Sequence, residues 1–105
     1  MRDVHFQVVS IQREGSRVFV GGRNCGDALA LGDVLRGVSG EMRVEAILTY
    51  RRYLNALDPG LTAELELSGD GVATVEPGFD LRGQSQEAAP RVELLGEGEF
   101  HVTPV

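Results

Sequence analysis

The sequence predicts a single all-β domain: a small closed antiparallel barrel of six to seven strands in Greek-key order, with an extra C-terminal hairpin. Two observations predict this fold. Short segments in which apolar and polar residues alternate recur along the 105 residues, as expected for half-buried strands. Glycines or Pro-Gly pairs separate these segments, at Gly22, Gly32, Pro59-Gly60 and Pro77-Gly78, where the backbone is expected to reverse.

The N-terminal third predicts three strands. Residues 4–11 alternate with period two, and the apolar face consists of Val4, Phe6 and Val8. A turn and two further strands are predicted over residues 13–16, 17–20 and 33–38. We expect Gly21-Gly22 to break or bulge the second strand, since glycine inside a strand often marks a bulge.

The C-terminal half begins with the clearest strand, residues 62–68. Leucines 65 and 67 face one way, whereas Glu64 and Glu66 face the other, and a helix would scatter the leucines. Gly69-Asp70-Gly71 predicts a turn, after which the predicted elements are a strand over 72–75, a loose connector over 84–90 and a hairpin of 91–95 with 100–103.

Composition excludes several classes of function. The single cysteine, Cys25, excludes an internal disulfide and a cysteine-based metal cluster. All ten basic residues are arginines, and the net charge of −6 disfavours nonspecific nucleic-acid binding. Residues 1–52 hold eight arginines and six acids, whereas residues 53–105 hold two arginines and ten acids. No segment resembles a signal peptide or a membrane span, so we expect a cytoplasmic protein.

Several blocks together resemble the second domain of the elongation factor Tu group of translation GTPases, a small antiparallel β-barrel. The family pattern is a strand, Gly-Arg, eight residues, an aliphatic residue and Gly-Asp or Gly-Glu, followed by a strand with a basic end, a turn and an alternating strand. The matching blocks are residues 18–23, 28–35, 44–52, 57–60, 63–69 and 77–81. The resemblance covers about residues 5–83 and implies a barrel over residues 1–83. Residues 84–105 have no counterpart in the family, and we expect them to be a connector and C-terminal hairpin that completes or covers the same domain.

The resemblance also decides between two structures for residues 41–57. Met42, Ala46, Tyr50 and Leu54 recur near the helical period, and residue propensity favours a helix. The same segment alternates as a strand would, and the family has a strand at this position, so we predict a strand. A long helix here would refute the resemblance.

The sequence departs from the family in ways that bear on function. The family places a GTPase domain before the barrel, and we expect this chain to be a stand-alone domain. A G-x-x-x-x-G-K-[ST] loop needs lysine, which this sequence lacks, so we expect no GTP binding by this chain. Acidic residues before the first turn help hold the aminoacyl end of tRNA in the family, but residues 8–11 contain no carboxylate.

The candidate binding residues are Arg23, Tyr50, Arg51 and Arg52. Arginines next to aromatic residues can clamp a phosphate while the ring stacks on a base, and Tyr53 adds a second ring beyond the pair. In a continuous strand Arg51 and Arg52 would point to opposite faces, so one patch requires the strand to end there. The alternative is a strand end with solvated arginines.

Other candidate chemistries have simpler explanations. Residues 21–26 fit an anion-binding nest, but a glycine-containing hairpin turn is the better interpretation. Cys25 with His5 or His101 would need contacts that sequence does not show, and the two histidines lack the spacing of common metal sites. The glutamates fit a charged solvent face rather than acid–base catalysis. We therefore predict no catalytic residue, no metal and no cofactor.

We predict a non-catalytic binding or interaction module. A protein partner or a homo-oligomer is favoured by the acidic balance, and no membrane contact is expected. Two alternatives remain: an RNA- or ribosome-associated translation accessory factor, and a small-molecule-binding protein or the subunit of a split enzyme.

Overall fold

The computed structural model describes residues 1–103 and confirms the predicted all-β fold. Six strands close an antiparallel barrel: β1 (Arg2–Glu14), β2 (Arg17–Asn24), β4 (Val34–Arg36), β5 (Glu41–Thr49), β8 (Thr62–Ser68) and β9 (Asp80–Ser85). The other strands are β3 (Leu29–Ala30), β6 (Arg52–Leu54), β7 (Ala56–Leu57) and β10 (Leu94–Glu97).

The barrel closes because every one of its six strands has a neighbour on both edges. The order around the ring is β1-β2-β8-β5-β4-β9, and β9 returns to β1. β5 also pairs with β6 at its far end, and β6 pairs with β10, so these two short strands extend outward from the ring. β3 and β7 form a separate two-stranded ladder.

Period-two alternation places the apolar residues inside the barrel, as the sequence predicted for β1 and β8. Val4, Phe6 and Val8 are buried, and Leu65 and Leu67 belong to the same core cluster. Such a barrel has no open sheet edge, and its interior is filled by side chains.

Residues 41–57 form the three strands β5, β6 and β7 and no helix, which confirms the choice of strand over helix, although a turn at Tyr50-Arg51 interrupts them and simple alternation fails inside β5. The register with β8 shifts between Val44 and Ala46, so Glu45 is an extra residue in the ladder. Val44 and Ile47 therefore both belong to the core cluster, whereas Leu48 lies on the outer face, opposite Glu64. One inserted residue flips every later side chain to the other face.

The Gly21-Gly22 pair does not end β2, which corrects the sequence prediction. β2 continues to Asn24, and the bulge lies in the partner strand, between Val8 and Ser10. A Cβ built on Gly22 would lie 2.0 Å from the Gln7 carbonyl oxygen, so glycine is required by this close approach of two backbones.

One predicted strand and the predicted C-terminal hairpin are also wrong. Residues 72–75 do not form a strand; Asp70–Thr74 form a 3-10 helix. Both edges of β8 and β9 are already paired within the barrel, so this segment has no free edge to join and satisfies its backbone locally. Residues 91–95 and 100–103 do not pair as a hairpin, because β10 pairs with β6 instead.

A buried ion pair links Arg2, at the start of β1, to Asp33 in the Gly32-Asp33 turn. The Arg2 guanidinium donates to both carboxylate oxygens of Asp33 at 2.8 and 2.9 Å, and also to the Ala28 carbonyl at 2.7 Å. The hydrogen bond to Asp33 raises the pKa of Arg2 above its usual value, against the opposing effect of burial. Within residues 1–103, no helical segment has the length and apolar character to cross a membrane.

Candidate functional site

The candidate residues Tyr50 and Arg51 form the tip of the hairpin between β5 and β6. Thr49 pairs with Arg52, which leaves Tyr50 and Arg51 as a two-residue turn. Their φ angles are +49° and +62°, positive at both central positions as in a type I′ turn. Such turns strongly favour Asn-Gly, so a bulky aromatic residue followed by arginine is an unusual choice here.

This turn carries backbone strain, and packing against the barrel does not offset it. A non-glycine residue in the left-handed region costs roughly 1–2 kcal/mol. The Tyr50 side chain is 81% exposed, so it buries almost no apolar surface in return. Strained residues are enriched at functional sites, and the tip is therefore a candidate contact surface.

A single patch of Arg51 and Arg52 required the strand to end before them. β5 ends at Thr49, so the hairpin brings both arginines to the same end of the molecule. Arg51 lies in the turn, and its carbonyl accepts a hydrogen bond from the Gly98 N–H at 3.0 Å. Arg52 begins β6 and stands opposite Glu97 of β10. Both side chains are exposed.

Tyr53 does not join Tyr50 in this patch. It lies on the outer face of β6, opposite Leu48, and is half-buried. Gly98 lies against its ring, so closely that a Cβ there would be 2.1 Å from a ring carbon. Only Tyr50 is therefore presented at the tip, which reduces the stacking surface expected from the sequence.

Arg23 lies at the same end of the barrel but is held differently. It pairs with Thr62 of β8, and the Thr49 hydroxyl donates to the Thr62 carbonyl at 3.1 Å, so only the start of β8 separates Arg23 from the hairpin. The Arg23 guanidinium donates to the Gly60 carbonyl at 2.6 Å. This contact fixes Arg23 to the loop before β8 rather than to the tip.

A second exposed feature, which the sequence reasoning missed, lies on β10 opposite Leu54, at the end of β6 away from the tip. Leu94 and Leu95 of β10 are 59% and 57% exposed although successive strand residues face opposite sides. The signal was present, because two adjacent leucines in one strand cannot both enter one core. We call the Tyr50-Arg51 turn with β6 and β10 the projecting arm.

The remaining candidate chemistries are not assembled in residues 1–103. The proposed anion nest is filled internally, since the N–H groups of Cys25, Gly26 and Asp27 donate to the His5 carbonyl, the Asn24 side chain and the Asp3 carbonyl. The exposed Cys25 thiol contacts the Arg23 carbonyl. Within the same residues, no three metal-binding side chains are grouped.

Comparison with known proteins agrees with the fold. No protein-family model matches the sequence, and no curated protein matches it. Among solved structures, the chain is similar to GDP-bound aIF5B from Aeropyrum pernix, a translation factor, with a TM-score of 0.69 and 20% sequence identity. The match covers 79% of this chain and 15% of that chain. At this identity the likeness shows a shared fold, and it agrees with the β-barrel that the sequence resemblance implied.

Proposed function

We propose that this chain is a non-catalytic, cytoplasmic protein-binding module that engages its partner through the projecting arm. The observation that carries the proposal is the exposed Tyr50-Arg51 turn, in which two non-glycine residues hold positive φ angles. A sequence selected for stability alone would favour Asn-Gly at these positions.

The chemistry of the arm suits a protein partner. Tyrosine and arginine are the residue types that most often dominate the binding energy of protein interfaces. The exposed Leu94 and Leu95 add apolar surface to the same arm, and exposed apolar patches mark interaction sites. The net charge of −6 works against the phosphate neutralisation that nonspecific nucleic-acid binding requires.

The arm also offers a sheet edge. Within residues 1–103, β10 pairs with β6 on one side and with no strand on the other. An extended segment of a partner, or the same edge of a second copy, can add to such a strand by main-chain hydrogen bonds. This geometry supports either a heterologous protein partner or a homodimer.

The test compares three full-length chains as bait in extracts of the host: the native chain, a Tyr50→Asn/Arg51→Gly variant and an Arg36→Gln control outside the arm. The double variant keeps the hairpin geometry, because Asn-Gly is the preferred sequence for this turn. We expect at least a tenfold loss of a specific retained protein with the double variant and no change with the control. That protein is then purified and titrated by calorimetry, and sedimentation of the native chain alone tests for a homodimer. Equal retention by all three chains, with a monomer in sedimentation, would refute the proposal.

A second candidate is contact with RNA or the ribosome, favoured by the likeness to the barrel of a translation factor and by the exposed pair Arg51 and Arg52. A gel-shift titration with single-stranded RNA tests it. Neutralising two phosphates predicts that binding weakens as salt rises, with a log–log slope of about −1.4. Absence of binding at low salt, or binding that ignores salt, would exclude this candidate.

A further inference from the structure

The last described residues form a strap, Gly98–Thr103, that crosses the outside of the barrel. Gly98 lies on Tyr53, His101 lies on Glu64, and the Val102 side chain reaches Gly21. The outer positions beneath the strap form one cross-strand row over five strands: Ser10, Gly21, Glu64, Leu48 and Tyr53. This row spans roughly four strand spacings of about 4.8 Å, and the strap bends at His101 and Val102 as it crosses the row.

The surface under the strap is apolar although it faces outward. Phe19 and Leu48 are buried, yet neither belongs to the core cluster inside the barrel. The His101 ring stacks on Phe19, with ring centroids 3.9 Å apart and an angle of 12° between the planes. Gly21 keeps the path open, because a Cβ there would lie 3.2 Å from the Val102 side chain.

One carboxylate anchors the strap. Glu64 is 3% exposed, and its Oε1 accepts hydrogen bonds from two consecutive main-chain N–H groups, those of His101 at 2.7 Å and Val102 at 2.9 Å. The Oε2 atom faces the His101 ring at 3.4 Å. Hydrogen bonds to a charged acceptor are about twice as strong as neutral ones, so most of the polar attachment is concentrated here.

The strap does not pair with the sheet as a strand. None of its six residues belongs to a strand, and its further hydrogen bonds are one from the Gly98 N–H to Arg51 and a long one, 3.5 Å, from the Ser10 hydroxyl to the Thr103 carbonyl. The barrel thus recognises main-chain N–H groups and one flat ring. The strap bends at His101 and Val102, and this bend directs their two consecutive N–H groups to the same oxygen.

We propose that this outer face is a peptide-binding groove and that the strap is its internal ligand. The groove takes a partner segment that bends as the strap does, in which a histidine or aromatic residue, stacking on Phe19, is followed by a residue with a free N–H. The partner's two N–H groups then replace those of His101 and Val102 on Glu64. This inference is independent of the projecting arm's role, since it requires neither Tyr50 nor the exposed leucines.

The test supplies the strap as a separate peptide to full-length chains. In the His101→Pro/Val102→Pro variant the strap has no N–H groups that can donate to Glu64 and no aromatic ring that can stack on Phe19. We expect a labelled peptide of residues 97–103 to bind this variant at least tenfold more tightly than the native chain, measured by fluorescence anisotropy. In the native chain the tethered strap competes at an effective concentration on the order of millimolar.

Two matched controls tie the binding to the groove. The same peptide with proline in place of its histidine and valine is expected not to bind. Adding Glu64→Gln to the proline variant is expected to weaken binding at least fivefold, whereas adding Glu41→Gln, at the start of the neighbouring strand β5, leaves it unchanged. Circular dichroism and the melting temperature verify that the barrels remain folded.

Three outcomes would overturn the proposal. The first is equal affinity of the peptide for the native chain and the proline variant. The second is binding that tolerates proline in the peptide or the loss of the Glu64 charge. The third is a native dimer that grows with concentration and disappears in the proline variant, which would assign the groove to strap exchange between two copies.

Discussion

Two buried carboxylates, Asp33 and Glu64, are both stabilised by hydrogen bonds that they accept, but the donors come from different parts of the molecule. Asp33 accepts hydrogen bonds from the Arg2 guanidinium and from the Ala30 N–H, both of which are fixed parts of the barrel. Glu64 accepts its hydrogen bonds from His101 and Val102, which belong to the strap.

The two carboxylates therefore differ in what stabilises their charge: the barrel itself stabilises Asp33, whereas Glu64 is stabilised only while the strap is bound to it. Burying a charge is expensive unless it is paired and hydrogen-bonded. Asp33 loses its partners only if the barrel unfolds or the N-terminal strand detaches. Glu64 lies on the outer face of β8, so departure of the strap returns it to water while the core stays intact. We therefore expect changes at the first site to lower global stability and changes at the second to act locally.

The largest effect is expected for Arg2→Met, which leaves the Asp33 carboxylate buried without its partner. Breaking a buried pair in this way typically costs about 3–5 kcal/mol. Urea unfolding followed by circular dichroism measures the free energy of unfolding. The control Arg36→Met removes an exposed arginine and should change it by less than about 0.5 kcal/mol. Similar values for both variants would mean that the Arg2–Asp33 pair is not a structural anchor.

The adjacent glycines extend the comparison. In Gly22→Ala the new Cβ meets the Gln7 carbonyl of the barrel at 2.0 Å, and we expect a loss near about 3 kcal/mol, at the upper end of overpacking effects. In Gly21→Ala the new Cβ meets the Ser10 hydroxyl at 2.7 Å and the Val102 methyl at 3.2 Å, which can rotate or move. We expect about 1 kcal/mol or less for Gly21→Ala. The unfolding midpoints of the two variants measure this difference. A larger loss of stability for Gly21→Ala than for Gly22→Ala would contradict the placement of Gly22 against the barrel backbone and Gly21 beneath the strap.

Sequence reasoning predicted the barrel because most strands follow simple rules. β8 alternates without interruption, and its predicted bounds match those observed. The same reasoning failed where one residue breaks the period: the bulge at Glu45 moves Ile47 inward and Leu48 outward. No local pattern marks such a bulge, because it arises from matching two strands that lie far apart in sequence.

The candidate site was predicted only in part. The sequence singled out Tyr50, Arg51 and Arg52, and the hairpin explains how both arginines reach one end of the molecule. It did not predict the strap, because Glu64 looks like any solvent-facing glutamate of an alternating strand. Its role depends on residues 37 and 38 positions away in the chain. Long-range partners of this kind carry no signal in a single sequence.

The turn substitution Tyr50→Asn/Arg51→Gly is expected to stabilise the barrel while removing the proposed contact. Both positive φ angles remain, but asparagine and glycine adopt them at lower cost than tyrosine and arginine, which should raise the free energy of unfolding by about 1–2 kcal/mol. Thermal and urea unfolding measure the gain. A destabilised variant would show that Tyr50 or Arg51 contributes to packing, and the argument from strain would fail.

The smallest global effect is expected for Glu64→Gln, because the amide still accepts a hydrogen bond but lacks the charge that holds two N–H groups. We expect a loss of about 1 kcal/mol, typical of one weakened hydrogen bond. Hydrogen exchange should speed up at the His101 and Val102 amides while Leu65 in the same strand stays protected, since local opening exposes only the strap. Asp33→Asn is the matched change at the fixed site, and it should speed exchange throughout the barrel. If Glu64→Gln also loosened the core strands, the strap would be part of the cooperative fold, and the distinction between the two carboxylates would not hold.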